Sequence, residues 1–200
     1  TTRAVVTLGA SVVGALAFYR LSFDTFVLEK KKKSGVLVKV CGLNSSEAAV
    51  LASKAGADLL GLIFVKKSKR YVDVDKAKEI VSAVDSYINK NGLITPDIGK
   101  VIKEREEVKD PSKWFKSQAN RISSSIRTLG DKAAPLKVGV FMNHSVNDIN
   151  HIAHQLHLDL IQLHGNEPED MPLKLSRPSI RVIHVDKSST LETLISQIKP

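Results

Sequence analysis

A single cysteine, Cys41, stands among 200 residues. No internal disulfide can form and no thiolate cage for zinc can be assembled, so a disulfide-stapled scaffold and a zinc finger are both excluded. A reducing compartment fits this usage, and the cytoplasm is the expected location. Walker and dinucleotide glycine fingerprints are also absent, and Ser123 to Ser125 lack the His/Asp context of a nucleophilic triad. Aromatics make up only 5% of the chain, and its basic segments offer one pair, Trp114 and Phe115, for stacking on bases. The uncharged run from Ala4 to Tyr19 is 16 residues long. As a helix it would span about 24 Å, short of the roughly 30 Å of a bilayer core.

Against these absences stands an excess of positive charge, +9 in all. Its placement matters more than its total. Lys30 to Lys33 carry +4, and Asn89 to Pro135 hold ten basic and six acidic residues, another +4, which leaves +1 for the rest. The body of the chain is near neutral. A basic tether and a basic insertion can touch phosphate or lipid, but with so few aromatics the pattern argues against a nucleic-acid partner. Hydrophobic residues at 42% suffice for one ordinary core.

The first residue is Thr1 rather than Met. Arg3 and Arg20 bracket the apolar run, and the lysine run follows, which resembles a signal or anchor region. The same residues read equally well as an apolar appendage or docking helix. Membrane contact by this segment therefore stays open, and residues 1–34 are set apart as an apolar and basic N-terminal extension.

From Ser34 the pattern changes to short apolar runs separated by amphipathic stretches, the mark of repeated βα units. Val36 to Val40, Leu59 to Val65, Lys137 to Phe141, Leu158 to Leu163 and Ser179 to Val185 read as buried strands. Helices are expected over Val72 to Tyr87, Val146 to Leu156 and Thr190 to Ile198. Another follows Asn44 or Ser45, either of which can cap it, and ends at Gly56. Between Asn89 and Pro135 the periodicity dissolves into charge, Ser, Gly and Pro, although Ile98 to Lys109 can form an isolated polar helix. This stretch is expected to be an insertion in a domain that runs over residues 35–200. Apolar runs without alternation indicate a sheet covered on both faces, hence a parallel one. Five strands fit either a doubly wound sheet or the first five-eighths of a barrel that usually takes about 250 residues.

In parallel α/β architectures the reactive groups sit at the carboxyl ends of the strands. Those ends here carry Cys41-Gly42, Lys66 to Arg70, Met142-Asn143-His144 and Gln162-Leu163-His164-Gly165. A cysteine at a strand tip, beside a glycine that allows close approach, serves as nucleophile or base when nearby cations favour its thiolate; the bland reading is a small buried hydrophobe. Lys66 to Lys69 are most simply a solvated loop. His151, His154 and His157 fall at i, i+3 and i+6 of an expected helix. No carboxylate or thiolate completes a ligand set, so no metal is expected.

Taken together, Lys39-Val40-Cys41-Gly42-Leu43, Gly61-Leu62-Ile63-Phe64 with Ser68-Lys69-Arg70, Val138-Gly139-Val140-Phe141-Met142-Asn143 and Gln162-Leu163-His164-Gly165 resemble the phosphoribosylanthranilate isomerases of tryptophan biosynthesis. The likeness covers Val36 to about Val185. It implies an α/β chain of the (β/α)8 TIM-barrel family, incomplete here with about five βα units, and an aldose–ketose isomerase that performs an Amadori rearrangement on a small-molecule substrate, phosphoribosylanthranilate. No cofactor is implied. By motif match Cys41 would be the general base at ribose C2 and Arg70 would hold the anthranilate carboxylate. Gln162 and His164 would line the substrate pocket.

The family's general acid, an Asp after strand six, and its phosphate-binding glycine loops have no counterpart among these 200 residues, and Asp186 after strand five does not take that role. An open five-stranded piece would expose an edge and an apolar inner face, so a complementing chain or self-association is expected. Two other readings stand beside the isomerase. One is a non-catalytic partial barrel acting as a binding or assembly module. The other is a different phosphosugar-binding α/β enzyme.

Overall fold

In the computed structural model the described residues are 6–9, 36–98, 111–185, 190 and 192; for residues 6–9 and 111–119 the description covers the backbone alone. Six parallel strands form one sheet in chain order: β1 (Val6–Gly9), β2 (Val38–Cys41), β3 (Leu59–Ile63), β4 (Leu136–Phe141), β5 (Leu160–Leu163) and β6 (Ser179–Arg181). The helices are α1 (Ser46–Lys54), α2 (Val74–Lys90), α3 (Pro111–Leu129), α4 (Val146–Gln155) and α5 (Met171–Lys174).

Two of these elements correct the sequence reading. The apolar N-terminal run was expected to be a helical appendage or an anchor, yet Val6–Gly9 form a strand in register with Val38–Cys41. Pairing along the exposed edge of β2 satisfies backbone groups that an isolated apolar segment would leave to water. The sheet thus has six strands rather than five. Within the basic insertion, a helix not read from the sequence lies at Pro111–Leu129, while the expected helix over Ile98 to Lys109 lies, apart from Ile98, outside the described residues. Ile98 is buried in non-helical backbone, and residues 99–110 lie outside the described set. So do most of the expected last helix and Asp186. Among the described residues no helix is long and apolar enough to cross a membrane.

The loops explain why the strands start where they do. α1 is capped by Ser45, whose hydroxyl accepts from the Ala48 N–H at 3.2 Å. Asp73 caps α2 through the Lys76 N–H at 2.7 Å, and Ser145 caps α4 through the Asp148 N–H at 3.1 Å. At its other end α1 closes with Gly56 at φ +81, where Ala57 donates to Ala52 and Gly56 to Ser53. The same pair of bonds ends α4, from Leu158 to Ala153 and from His157 to His154, with His157 at φ +47. One residue later an aspartate clamps the sheet in both units. The Val38 N–H donates to Asp58 Oδ2 at 2.7 Å and the Asp58 N–H returns to the Val38 carbonyl at 2.8 Å. Asp159 repeats this with Lys137 at 2.7 and 2.9 Å.

This repeat accounts for His157, one of the three spaced histidines. His157 lies beyond the end of α4, in the turn position that Gly56 holds in the first unit, and its ring is 6.3 Å from that of His154. No three potential ligands converge on a metal position among the described residues.

Alternation along the strands divides the sheet into two faces. Val40, Leu60, Leu62, Phe141, Ile161 and Leu163 pack outward under α1, α2, α4 and α5, forming the larger core. On the other face Leu59, Leu136, Val138 and Leu160 form a floor near the starts of the strands. That inner face was expected to lack partners. Instead Ile98 and Ile126, with Ile122 beside them, pack onto the floor, so the insertion supplies its cover. The insertion is also pinned at its ends, since the Ile94 N–H donates to Lys132 and the Ala134 N–H to Ile94, both at 2.8 Å.

Candidate functional site

On the inner face, side chains change character from the starts of the strands to their carboxyl ends. Below lie the leucines and isoleucines of the floor. Above them stand Lys39 and Cys41 on β2, Gln162 on β5 and His164 just past it. The period of two puts Lys39 and Cys41 on one side of β2, and the register pairs Cys41 with Gly61. A Cβ on Gly61 would lie 2.7 Å from Cys41 Sγ, so the sulfur occupies the space that glycine leaves free. Ile63 and Val140 pack around it, and Cys41 is only 7% exposed.

Arg70 reaches this end from the loop after β3. Its Nη1 donates to the Cys41 carbonyl at 2.9 Å, and its aliphatic stem crosses Gly42, where a Cβ would meet Cδ at 2.6 Å. Gly42 at φ +82 therefore makes room for Arg70, not for an approaching ligand as its sequence position suggested. One nitrogen of the guanidinium is engaged with the backbone, and its planar fork has further N–H donors beyond that contact.

Gln162 and His164 complete the arc. Lys39 Nζ donates to Gln162 Oε1, and Gln162 Nε2 lies 3.3 Å from His164 Nδ1. The His164 ring meets that of His184 edge to face, with centroids 5.4 Å apart. Burial, then the neighbouring His184 and Lys39, hold His164 below its ordinary value near 6.5, while Glu167 acts weakly the other way. Beneath the loop, Glu167 accepts the N–H groups of Asn143 and Gly165, tying the β4 and β5 tips together.

Cys41, Arg70, Gln162 and His164, all singled out in the sequence, thus share one end of the sheet. Two residues of the same cluster were missed. Lys39 reads in sequence as part of a strand motif, but its place two residues before Cys41 on a strand is itself the sign that both face the same way. His184 lies three residues past β6 and was absorbed into an expected strand.

A pocket edge built from a thiol, a guanidinium, an amide and an imidazole can accept a proton from carbon, bind a carboxylate and hydrogen-bond to hydroxyl groups. The family model described as N-(5'-phosphoribosyl)anthranilate (PRA) isomerase matches residues 88–199. The N-(5'-phosphoribosyl)anthranilate isomerase of Wickerhamomyces anomalus is 35% identical over 80% of this chain and 63% of its own length. The multifunctional tryptophan biosynthesis proteins of Phycomyces blakesleeanus and Schizosaccharomyces pombe are each 40% identical, over 77% and 79% of this chain, and the match takes in 18% of either relative. The chain therefore spans less than two thirds of the length of these curated relatives. A solved phosphoribosyl anthranilate isomerase from Thermus thermophilus shares the fold, with a TM-score of 0.50 at 19% identity over 78% of this chain and 55% of that one. With the family model covering more than half of its residues, the chain belongs to the phosphoribosylanthranilate isomerase family.

Proposed function

We propose that this chain carries the base and the carboxylate-binding half of an isomerase site for phosphoribosylanthranilate. The observation that carries the reading is the meeting of Cys41 and Arg70 at one strand end, where the guanidinium donates to the Cys41 carbonyl at 2.9 Å. Once the ribose ring opens to a protonated Schiff base, the C2–H bond is acidified by the adjacent iminium. A thiolate at Cys41 removes that proton, and the C–H electrons form the C1–C2 double bond while the iminium nitrogen takes its pair back. The resulting enol becomes the ketose when C1 gains a proton and the C2 hydroxyl gives its own up to form the carbonyl. Arg70 orients the substrate by pairing two N–H donors with the anthranilate carboxylate, and Gln162 and His164 hold the sugar hydroxyls. Turnover of phosphoribosylanthranilate, followed by loss of its fluorescence, is expected for the full polypeptide that contains this sequence. A folded full polypeptide that neither turns over nor binds an anthranilate ligand would favour the binding-module reading instead.

His164 adds a pH dependence. Its depressed folded-state pKa means the fold favours the neutral ring. That contribution is present above the unfolded value near 6.5 and is lost as pH falls through the lower folded value. The denaturation midpoint of the wild type is therefore expected to drop more steeply on acidification from about pH 7 than that of His164→Gln. Parallel profiles would show that the ring does not feel its neighbours.

A further inference from the structure

Lys39 is 3% exposed, on the inner face of β2, and its partners there are the two reactive-looking groups of the pocket wall. Its Nζ lies 3.5 Å from Cys41 Sγ and donates to Gln162 Oε1. Burying an ammonium without compensation is costly, and Leu59, its neighbour across the ladder, offers none. Resting on the isomerase reading above, we infer that Lys39 is a positioning residue: its ammonium holds the Cys41 sulfur as a thiolate at the inner face and locks Gln162 with its amide nitrogen toward His164.

Elementary chemistry and two further observations support this. A cation at contact distance stabilises a thiolate and gives a neutral thiol only a weak hydrogen bond. The ring of Ile63, Val140 and Val65 around the sulfur keeps solvent from screening the pair. Lys39 also links two strands that are not neighbours, β2 and β5, across the inner face. Burial lowers the affinity of the Lys39 amine for its proton, and the adjacent Cys41 opposes that loss.

Among the described residues, few groups face this pair. They are Arg70 from the loop after β3, engaged with the Cys41 carbonyl, His164 after β5 and His184 after β6, with Glu167 behind His164. Lys39 is the cation whose side chain contacts the sulfur itself.

Cys41 is the chain's only cysteine, so its ionisation can be followed by thiolate ultraviolet absorbance without substrate, against a Cys41→Ser blank. In Lys39→Met the thiolate transition is expected to move up by about one pH unit or more, a roughly tenfold smaller thiolate fraction below the transition. Lys39→Arg, which keeps the charge, is expected to recover most of it. In turnover, Lys39→Met should lower kcat with little change in KM and shift the acid limb of the pH–rate profile upward with the thiolate transition. An unmoved transition in a folded Lys39→Met chain overturns the inference while leaving the isomerase reading intact. Should Lys39→Met fold poorly, Lys39→Gln serves for the same titration, and an unmoved transition there overturns the inference in the same way. A moved transition in a chain without isomerase turnover would support the Lys39–Cys41 coupling and count against the isomerase reading alone.

Discussion

Replacing Cys41 with alanine is expected to cut kcat by about a hundred- to ten-thousandfold, the range for loss of a positioned general base. The fold should tolerate the change, because Cys41 contributes one small side chain to a cluster of Ile63, Val140 and Val65. Substrate binding should persist as well, since Arg70 is held by the Cys41 carbonyl and not by its sulfur. The signature is therefore a collapse of kcat with KM within a few-fold, measured by anthranilate fluorescence on the full polypeptide. Cys41→Ser tests the chemistry more finely. A hydroxyl fits the space beside Gly61 but is far harder to ionise than a thiol, so serine should rescue the packing without rescuing the rate. Wild-type rates in either variant would remove the proposed base.

The largest expected effect on stability comes from Phe141→Ala. The ring is fully buried at the end of β4, stacked on Phe64 with centroids 5.1 Å apart and met edge-on by His144 at 5.5 Å. A Cβ at Gly139 would lie 2.7 Å from the Phe141 ring, so the strand's own backbone is shaped around it. Removing so closely held a ring leaves a cavity that its rigid neighbours cannot fill, at a cost of about 3–5 kcal/mol. That is a large share of the roughly 5–15 kcal/mol that holds an ordinary domain together. Urea denaturation should show the loss as a lower midpoint with an unchanged slope, and a loss under about 1 kcal/mol would mean the aromatic stack is not the keystone of the outer core. Phe141 also positions chemistry: its carbonyl accepts the His164 N–H at 2.9 Å, so loosening β4 should loosen the pocket edge.

The parts of the fold legible in the sequence are those where local chemistry and packing agree. Apolar runs such as Leu59 to Ile63 announce strands buried on both faces, and Ser45 announces the helix it caps. Where the two disagree, the pattern misleads. Val6–Gly9 sit inside the uncharged run Ala4 to Tyr19, where Gly9, Ser11 and Gly14 are scattered too evenly to mark one boundary, so the pairing with β2 defines them. α3 presents the floor with Ile122 and Ile126 at a spacing of four, but Ser123 to Ser125 lie between and charged residues surround them, which hides its apolar stripe. For the site, motif and strand-tip logic located Cys41, Arg70, Gln162 and His164. It missed Lys39 because lysine is read by habit as solvated, and only the strand's alternation shows that it must face inward.

The docking of α3 has a consequence for space. In a closed eightfold barrel the interior is solid, filled by layers of side chains from strands that face one another. Ile98, Ile122 and Ile126 already sit on that ground, against Leu59, Leu136, Val138 and Leu160. Two sets of atoms cannot share one volume at the packing density of a protein interior. A strand curling over from the β6 edge would have to evict the helix before its own side chains could settle, so the insertion and barrel closure are rival tenants of a single room.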